Sequence, residues 1–388
     1  MSQSWPDEHK YSYSDKVEVI VGGNSYFEAL RDIIDEARDN IYCQFFILDF
    51  DDTGRNFINS LMDAASRGVK VFLLLDAYGS GSLPTSIRHE ILNSGIELRF
   101  FSPYFNFRKF SPGRRLHNKV LVADGKLGIV GGINIADKYH DTAKGKGWLD
   151  FALRVEGSIC EELQMVCIRL WGKEGLRYRA KLKVLSTGYS YRYKVRIREN
   201  DFFGKKEKVS KSYKQSVRFA RNYLIIVGAY FLPGWNYRQM LKRAAQKGIR
   251  IKLILASRSD VGLTLYAQRH LYAWLLDQGI EIYEWNGPMV HGKVALADDI
   301  WFTIGSYNLN YLSDFSNLEL NLEVLDAGMA KEFRKTLETI ICTECKRVTS
   351  EDLKHTRNVF VRSVRWIAYN LLKFSMVLTA YLTSKPKK

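Results

Sequence analysis

A long tandem repeat constrains the fold of this chain more than any other feature of its sequence. The segment DAASRGVKVFLLLDAYGS reappears as KRAAQKGIRIKLILASRSD, and the glycines at the matching places, Gly68 and Gly248, lie 180 residues apart. NSGIELRFF reappears as DQGIEIYEW, in which Gly95 and Gly279 lie 184 residues apart. A repeat of this length is a whole domain rather than a unit of a solenoid. The sequence therefore predicts two similar domains.

Within each copy, amphipathic helical stretches alternate with short apolar runs. FINSLMDAASRG ends in a glycine and is followed at once by VKVFLLL, a pattern typical of a helix, its stop and a buried strand. We therefore predict an α/β protein in which each domain is a mixed β-sheet flanked by helices. The stretch from Arg177 to Arg198 holds eight Lys or Arg and no acid, which places the domain boundary near residue 180. We assign residues 1–180 to the first domain, 181–350 to the second and 351–388 to a C-terminal segment.

One motif with fixed spacing occurs in each copy. In RLHNKVLVADGKLGIVGGIN, its positions are His117, Lys119, Asp124, Gly132 and Asn134. In HGKVALADDIWFTIGSYN, they are His291, Lys293, Asp298, Ser306 and Asn308. A lone histidine beside an apolar strand is usually an ordinary structural residue, but two copies with identical spacing favour a functional site.

The residue types in this motif suit the chemistry of a phosphate ester. Side chains alternate along a strand, so His117 and Lys119 are expected to point the same way, as are His291 and Lys293. One face then carries a nucleophile or base beside a positive charge. The glycines admit close approach of the backbone or of a phosphate, and the asparagines supply amide donors. If the domains pack with approximate twofold symmetry, both sets converge on one anion, and this arrangement requires no metal and no cofactor.

Over most of its length, the chain resembles the phospholipase D superfamily and, within it, the bacterial cardiolipin synthases. The doubled HxKx4Dx6G(G/S)xN pattern carries the resemblance, together with segments such as FILDFDDTG, VGAYFLPG and SNLELNLEV. The resemblance implies two phospholipase D-like domains related by pseudo-twofold symmetry, with one shared active site. It also implies that one histidine attacks a phospholipid phosphodiester while the other protonates the departing alcohol. An acceptor alcohol then displaces the phosphohistidine, so that two phosphatidylglycerol molecules give cardiolipin and glycerol.

The same resemblance implies a role for each position of the motif. It favours His117 as the nucleophile and His291 as the general acid and base, with the reverse assignment left open. The two lysines would hold phosphate oxygens with support from Asn134, Asn308, Gly132 and Ser306, and Asp124 and Asp298 would hold the turn after each strand. A separate carboxylate would orient each histidine. Asp150 and Glu319 lie at matching places for this role, and solvated acids at strand ends are the alternative.

The charge of the chain predicts an anionic partner. Lys and Arg number 58 against 42 Asp and Glu, which gives a formal net charge of +16. The segment from Arg99 to Arg115 interleaves six aromatic residues with five Lys or Arg. That composition suits single-stranded nucleic acid or a lipid interface, and a connecting loop between the domains is the alternative.

The C-terminal segment favours the membrane over nucleic acid. From Lys354 to Lys388, eight Lys or Arg and no acid are mixed with apolar residues that include Trp366. We predict a helix that lies in a membrane interface, with a plain core-packing helix as the alternative, because Lys373 leaves the apolar run too short to span. The N-terminus lacks the pattern of a secretory signal, and five cysteines at irregular spacing fit a reducing compartment. We therefore expect a peripheral protein on the cytoplasmic face of the cell membrane.

Two further classes of function stay open on the sequence alone. The first is a hydrolase of the same superfamily, either a phospholipase D that uses water as acceptor or a nuclease. The second is a catalytically silent lipid-binding protein, against which the intact histidine and lysine sets argue.

Overall fold

The structure is a computed structural model that describes residues 5–102, 114–142, 145–172, 193–201, 206–354 and 358–384. The predicted domain boundary near residue 180 lies outside the described residues, as does most of the aromatic and basic segment between Arg99 and Arg115. The division of the chain at residues 180 and 350 therefore stays a prediction.

The first part of the chain alternates strands and helices as the apolar pattern predicts. Its described strands are β1 (Ser12–Ser14), β2 (Lys16–Val21), β3 (Asn40–Phe45), β4 (Lys70–Asp76), β5 (Glu97–Phe101), β6 (Arg115–Leu116), β7 (Val120–Ala123), β8 (Leu127–Gly131) and β9 (Phe151–Glu156). Its described α-helices are α1 (Gly23–Glu36), α2 (Asp52–Ser66), α3 (Thr85–Asn93) and α4 (Ser158–Trp171).

The second part repeats this alternation and adds helices at its end. Its described strands are β10 (Tyr193–Asp201), β11 (Lys206–Glu207), β12 (Tyr223–Gly228), β13 (Arg250–Ala256), β14 (Glu281–Trp285), β15 (Lys293–Ala297), β16 (Trp301–Gly305), β17 (Asn317–Leu325) and β18 (Cys345–Val348). Its described α-helices are α5 (Lys208–Phe219), α6 (Trp235–Gln246), α7 (Gly262–His270), α8 (Tyr272–Asp277), α9 (Tyr311–Phe315), α10 (Ala327–Glu344), α11 (Ser350–Lys354) and α12 (Val359–Ser384).

Two mixed sheets have the same strand order, which confirms the predicted duplication. The first sheet runs β2-β9-β8-β7-β3-β4-β5. Seven neighbouring strands of the second sheet run β10-β17-β16-β15-β12-β13-β14 in the equivalent order. In each of these seven-strand runs the last three strands are parallel and the other neighbours pair antiparallel. Helices flank both sheets, so the α/β prediction is confirmed.

The repeated helix-to-strand turn shows how the sequence builds each sheet. Asp51 caps the start of α2 by accepting a hydrogen bond from the backbone N–H of Gly54. Past the end of this helix, Gly68 has a φ of 88°, a conformation that favours glycine. The apolar strand β4 follows at once and is buried over nearly its whole length. Gly248 has a φ of 87° at the equivalent place between α6 and β13.

The N-terminal residues join the second sheet rather than the first. β1 pairs antiparallel with β10, and the ring of Trp5 stacks on that of Trp301 at 5.2 Å. The hydroxyl of Tyr11 donates to Glu323, which also binds Arg196 and Arg198. These two arginines belong to the basic stretch noted in the sequence, and in the fold they neutralise a buried acid.

Apolar residues of both sheets share one core. Side chains of β7, β8 and β9 and of α4 form a single buried cluster with those of β15, β16, β17 and α10. Two further clusters lie on the outer faces, one beneath α1, α2 and α3 and one beneath α5, α6, α7 and α8. Because the shared core is continuous, the residues at its edge are held in fixed relation across the two halves.

Candidate active site

The two halves exchange short backbone pairings at the histidine motifs. β6 runs parallel to the start of β17, and the N–H of His117 donates to the carbonyl of Leu318 at 3.0 Å. In the matching place, Leu149 forms a parallel bridge with Val290, and the N–H of His291 donates to the carbonyl of Leu149 at 2.8 Å. Each histidine therefore lies beside the segment of the other half that carries one of the two predicted carboxylates.

This exchange pairs each histidine with the acid of the opposite half. Nδ1 of His117 lies 2.8 Å from Oε2 of Glu319, and Nδ1 of His291 lies 2.6 Å from Oδ2 of Asp150. All four side chains are buried, and both acids are 1% exposed. A carboxylate can only accept, so it fixes the proton of each ring on Nδ1 and leaves Nε2 for chemistry.

The two motif lysines lie beside their histidines and are also buried. Nζ of Lys119 donates to the carbonyl of His117 at 2.7 Å. Nζ of Lys293 donates to the carbonyl of His291 and lies 4.0 Å from the carboxylate of Asp150. It also lies 2.8 Å from Nδ1 of His291, a contact without a hydrogen bond because the Nδ1 proton is given to Asp150.

Burial is the main cause of the pKa shifts in this site. It lowers the pKa of His117 and lowers that of His291 to about 3, with Lys293 adding to the effect on His291. It lowers the pKa of Lys293 to about 8 and that of Lys119 well below the usual range. Each lysine also lowers the pKa of the histidine of the other half. The two sets therefore form one electrostatic unit.

Both orienting carboxylates stay ionised despite their burial. Burial alone acts to raise the pKa of Asp150, but Lys293 and His291 hold it below its usual range. Burial likewise opposes the lowered pKa of Glu319, which His117 and Lys119 produce. The site thus contains neutral imidazoles between carboxylates and lysines.

The aspartates of the two motifs lie away from the histidines. Asp124 and Asp298 have φ values of 54° and 51°, and each opens the turn after its motif strand. The carboxylate of Asp124 accepts from the backbone N–H groups of residues 38, 39 and 40. That of Asp298 accepts from those of residues 221, 222 and 223. In both halves the aspartate ties the hairpin to the start of the central strand.

Gly132 and Ser306 occupy equivalent places, but they contact the orienting acids in different ways. A Cβ atom at Gly132 would overlap the carboxylate of Asp150. The hydroxyl of Ser306 donates to Oε2 of Glu319 at 2.5 Å. Their predicted support of phosphate stays a prediction, since in the fold both residues adjoin the orienting acids.

The two motif asparagines are buried in the same region. Asn134 donates to the hydroxyl of Tyr139 at 2.7 Å and accepts from the N–H of Ile47. Asn308 is 6% exposed, and its side-chain oxygen has no hydrogen-bond partner among the described residues. Of the two, Asn308 has the side chain better able to meet a ligand.

One structural expectation for the motif is wrong. The sequence predicts that histidine and lysine share a strand, but β7 begins at Val120 and β15 begins at Lys293. His117 and His291 precede these strands, in segments that pair with the other half. These two segments pair with residues of the other half instead of continuing β7 and β15. The local sequence pattern does not reveal such long-range pairing.

Aromatic side chains surround both histidines, and the repeated motif does not indicate them. The ring of Phe46 lies 5.1 Å from that of His117. Tyr139, Trp148 and Tyr230 surround His291, with ring centroids at 5.2, 5.7 and 6.3 Å. Phe46 and Tyr230 follow the ends of β3 and β12, which are equivalent strands of the two sheets. An aromatic residue just after each of these apolar runs was the signal that the sequence offered.

The buried charged groups of this site are the side chains of two lysines and two acids. Across the described ranges, no group of three or more His, Cys, Asp or Glu is arranged to hold a metal ion. The two buried lysines, Lys119 and Lys293, lie beside the histidines and can stabilise negative charge there.

Two duplicated α/β domains that each give one histidine to a common site define the class of phospholipase D-like enzymes. The family model described as cardiolipin synthase, PLD-like domain, matches residues 30–145 and 213–341. The chain therefore belongs to this family.

Curated relatives of the chain bear similar names. Cardiolipin synthase B of Escherichia coli is 32% identical over 374 residues, which cover 95% of this chain and 90% of that protein. Cardiolipin synthase 1 of Staphylococcus aureus is 27% identical over 343 residues, or 87% of this chain and 69% of that protein.

A solved structure supports the fold. The phosphatidylserine synthase of Haemophilus influenzae superposes with a TM-score of 0.71 over 96% of this chain and 95% of its own, at 13% sequence identity. At this identity the likeness extends to the fold alone.

Proposed function

We propose that this protein is a cardiolipin synthase, a phosphatidyltransferase that joins two phosphatidylglycerol molecules and releases glycerol. The observation that carries the proposal is the exchanged pairing of His117 with Glu319 and of His291 with Asp150. This pairing supports a mechanism in which two oriented imidazoles act together with two buried lysines, as transfer through a covalent intermediate requires. The relatives named above are called cardiolipin synthases.

The first half of the reaction breaks a phosphodiester. Nε2 of His117 attacks the phosphorus of one phosphatidylglycerol, and a nitrogen–phosphorus bond forms. The bond from phosphorus to the terminal glycerol oxygen breaks, and this oxygen takes a proton from His291. Free glycerol leaves, and the phosphatidyl group stays on His117. The bound phosphodiester carries a negative charge, which raises the pKa of His291 and so favours the protonated form that gives this proton.

The second half reverses the roles of proton donor and acceptor. His291 takes the proton from a hydroxyl of the second phosphatidylglycerol, whose oxygen attacks the phosphorus. The bond to Nε2 of His117 breaks, and cardiolipin is released. Lys119 and Lys293 stabilise the charge on the non-bridging oxygens in both halves, with Asn134 and Asn308 as amide donors. The carboxylates of Glu319 and Asp150 keep each ring in the required tautomer.

We also propose that the enzyme works as a peripheral protein on the cytoplasmic face of the membrane. The net charge of +16 supports attraction to anionic lipid. Across the described residues, no helix combines the length and hydropathy needed to cross a bilayer. Several apolar side chains of α12 are exposed instead, including Phe360 at 73% and Phe374 at 66%.

The proposed function is tested with purified protein and phosphatidylglycerol vesicles. We expect cardiolipin and glycerol as products by mass spectrometry, and we expect His117→Ala and His291→Ala each to lower turnover by at least about 10³-fold. His89→Ala, which changes an exposed histidine of α3, is the matched control and should leave turnover unchanged. Phosphatidic acid as the main lipid product would instead indicate hydrolysis, and a mild loss in either motif variant would contradict the paired mechanism.

A further inference from the structure

Helix α12 lies close to the rim of the candidate active site. It packs against α7 and α9. Helix α9 follows Asn308, and its Ser313 donates to Oε1 of Glu319 at 2.7 Å. Helix α7 follows Asp260, which accepts from the hydroxyl of Tyr230, a ring neighbour of His291. A membrane that contacts α12 would therefore lie next to the candidate active site.

One face of α12 carries an exposed apolar stripe. Its members recur at helical spacing and are exposed by 73, 55, 53, 66 and 42%, in the order Phe360, Ile367, Leu371, Phe374 and Leu378. On the opposite face, Ala368 and Met376 are buried against the second domain. The packing of this helix thus uses one face and leaves the stripe uncovered, which is typical of an interaction surface.

A pocket rich in cationic side chains lies at the N-terminal half of α12. It has a volume of about 710 Å³ and lies between α7, α8, α11 and α12. Its charged or titratable lining groups are Arg269, His270, Arg362, Arg365 and a single acid, Asp277. Trp366, exposed by 56%, also lines this basic pocket and adjoins Ile367 of the stripe. The basic pocket and the apolar stripe are therefore continuous.

The cationic side chains of this pocket repel one another. An anion bound between them would relieve this repulsion. Burial lowers the pKa of Arg365, and Arg269 lowers it further. Burial also lowers the pKa of His270, with further contributions from Arg238 and Arg365. Arg269 is already paired with Glu284. Arg362 is exposed and forms no ion pair with any described residue, so its charge is available to a ligand.

We propose that the basic pocket binds the phosphate group of an anionic membrane lipid while the apolar stripe of α12 enters the interface beside it. This inference rests on the proposed function and adds to it a lipid site apart from the reacting histidines. The occupant is a lipid rather than a free phosphate ion, because only a lipid presents an anionic group and acyl chains together. Lipid bound here holds the rim of the active site against the bilayer.

Vesicle binding tests this proposal on the full-length protein. We expect the protein to sediment with vesicles of phosphatidylglycerol and phosphatidylcholine, and only weakly with phosphatidylcholine alone. Arg362→Gln should lower the partition coefficient on the anionic vesicles about fivefold, since one cation near such a surface contributes that much. Leu371→Ser should lower it about tenfold through lost apolar burial. Equal binding by these variants and the unchanged protein would overturn the proposal.

Matched variants at the far end of the strands are the controls. Lys126→Gln and Ile300→Ser change an exposed cation and an exposed apolar residue in the turns that follow β7 and β15. These turns lie at the strand ends opposite Lys119 and Lys293, so both variants should bind vesicles normally. A loss in the controls as large as in the α12 variants would show nonspecific adhesion and contradict the proposal.

Two further experiments distinguish a lipid from free phosphate and the lipid site from the active site. Inorganic phosphate alone, titrated into the protein without vesicles, should bind no more tightly than millimolar, because it lacks acyl chains, and micromolar binding would contradict a lipid occupant. On a short-chain phosphatidylglycerol that is dispersed as monomers, Arg362→Gln and Leu371→Ser should keep normal turnover. Loss of turnover there would place these residues in the active site and overturn the separate lipid site. Failure of the unchanged protein to make cardiolipin would count against the proposed function alone.

Discussion

Single residues set the charge of the candidate site, and Lys293 shows this most directly. Lys293 is 2% exposed, and its ammonium group lies between His291 and Asp150. Burial lowers its pKa to about 8, within the range in which the enzyme can be assayed. The charge that is proposed to hold a phosphate oxygen is therefore itself titratable near neutral pH.

A pH profile tests the role of this lysine. The ammonium form exists below the pKa, so we expect kcat/KM on monomeric short-chain phosphatidylglycerol to fall as the pH rises above about 8. Lys293→Arg should lower turnover but remove this fall, because arginine keeps its charge to far higher pH. Lys126→Arg, at an exposed turn, should retain the profile of the unchanged protein. A fall of equal position in the Lys293→Arg variant would rule out this lysine as its source.

The residue types of the site were readable from the sequence, but their contacts were not. The doubled spacing singled out His117, His291 and both lysines because chemistry demands those types together. Nothing local reveals that Gly132 leaves room for Asp150 or that Ser306 binds Glu319. Such details depend on which strands become neighbours, and the linear pattern does not encode this.

At the scale of the element, each motif forms a hairpin tied down by one carboxylate. Asp298 is 4% exposed and accepts three backbone N–H groups at the start of β12. The left-handed conformation of this residue, with a φ of 51°, directs its carboxylate at them. A side chain that joins two strands in this way stabilises the pairing of β12 with β15.

Removal of this carboxylate is expected to destabilise the fold. Asp298→Ala leaves three donors without their partner, so we expect a loss of about 3 kcal/mol in the free energy of unfolding, measured in urea. Asp326→Ala is the control, since Asp326 caps the start of α10 by accepting from the N–H of Met329. Its loss should be about 1 kcal/mol. Equal losses in the two variants would contradict the idea that several shared hydrogen bonds make Asp298 important.

The type of most elements follows from their own sequence, while their ends do not. β4 and β13 read as buried strands because their apolar runs follow a glycine stop. The segments that carry His117 and His291 do not follow this logic, since each pairs with the other half of the chain. Long-range pairing decided the local conformation there.

At the scale of the whole molecule, the two halves complete each other. Each histidine of the motif depends on a carboxylate that belongs to the opposite domain. The twofold relation was predictable from the repeat, but the exchange of partners was not, because Asp150 and Glu319 occupy equivalent places and either assignment fits the sequence.

Nuclear magnetic resonance of the imidazole nitrogens tests this exchange. Glu319→Gln should shift the Nδ1 signal of His117 and leave that of His291 nearly unchanged. Asp150→Asn should do the reverse, so each variant is the control for the other. Loss of the negative charge should also lower the pKa of the affected histidine further, since the carboxylate favours its protonated form. If each variant perturbed the histidine of its own half, the exchanged pairing would be wrong.

The exchanged pairing also means that the site is completed only late in translation. His117 leaves the ribosome well before Glu319, which follows it by 202 residues. A nascent chain that has finished only its first lobe carries a histidine without its acid and an acid without its histidine. We therefore expect a chain that lacks its second half to be inactive, because neither histidine has the carboxylate that orients it.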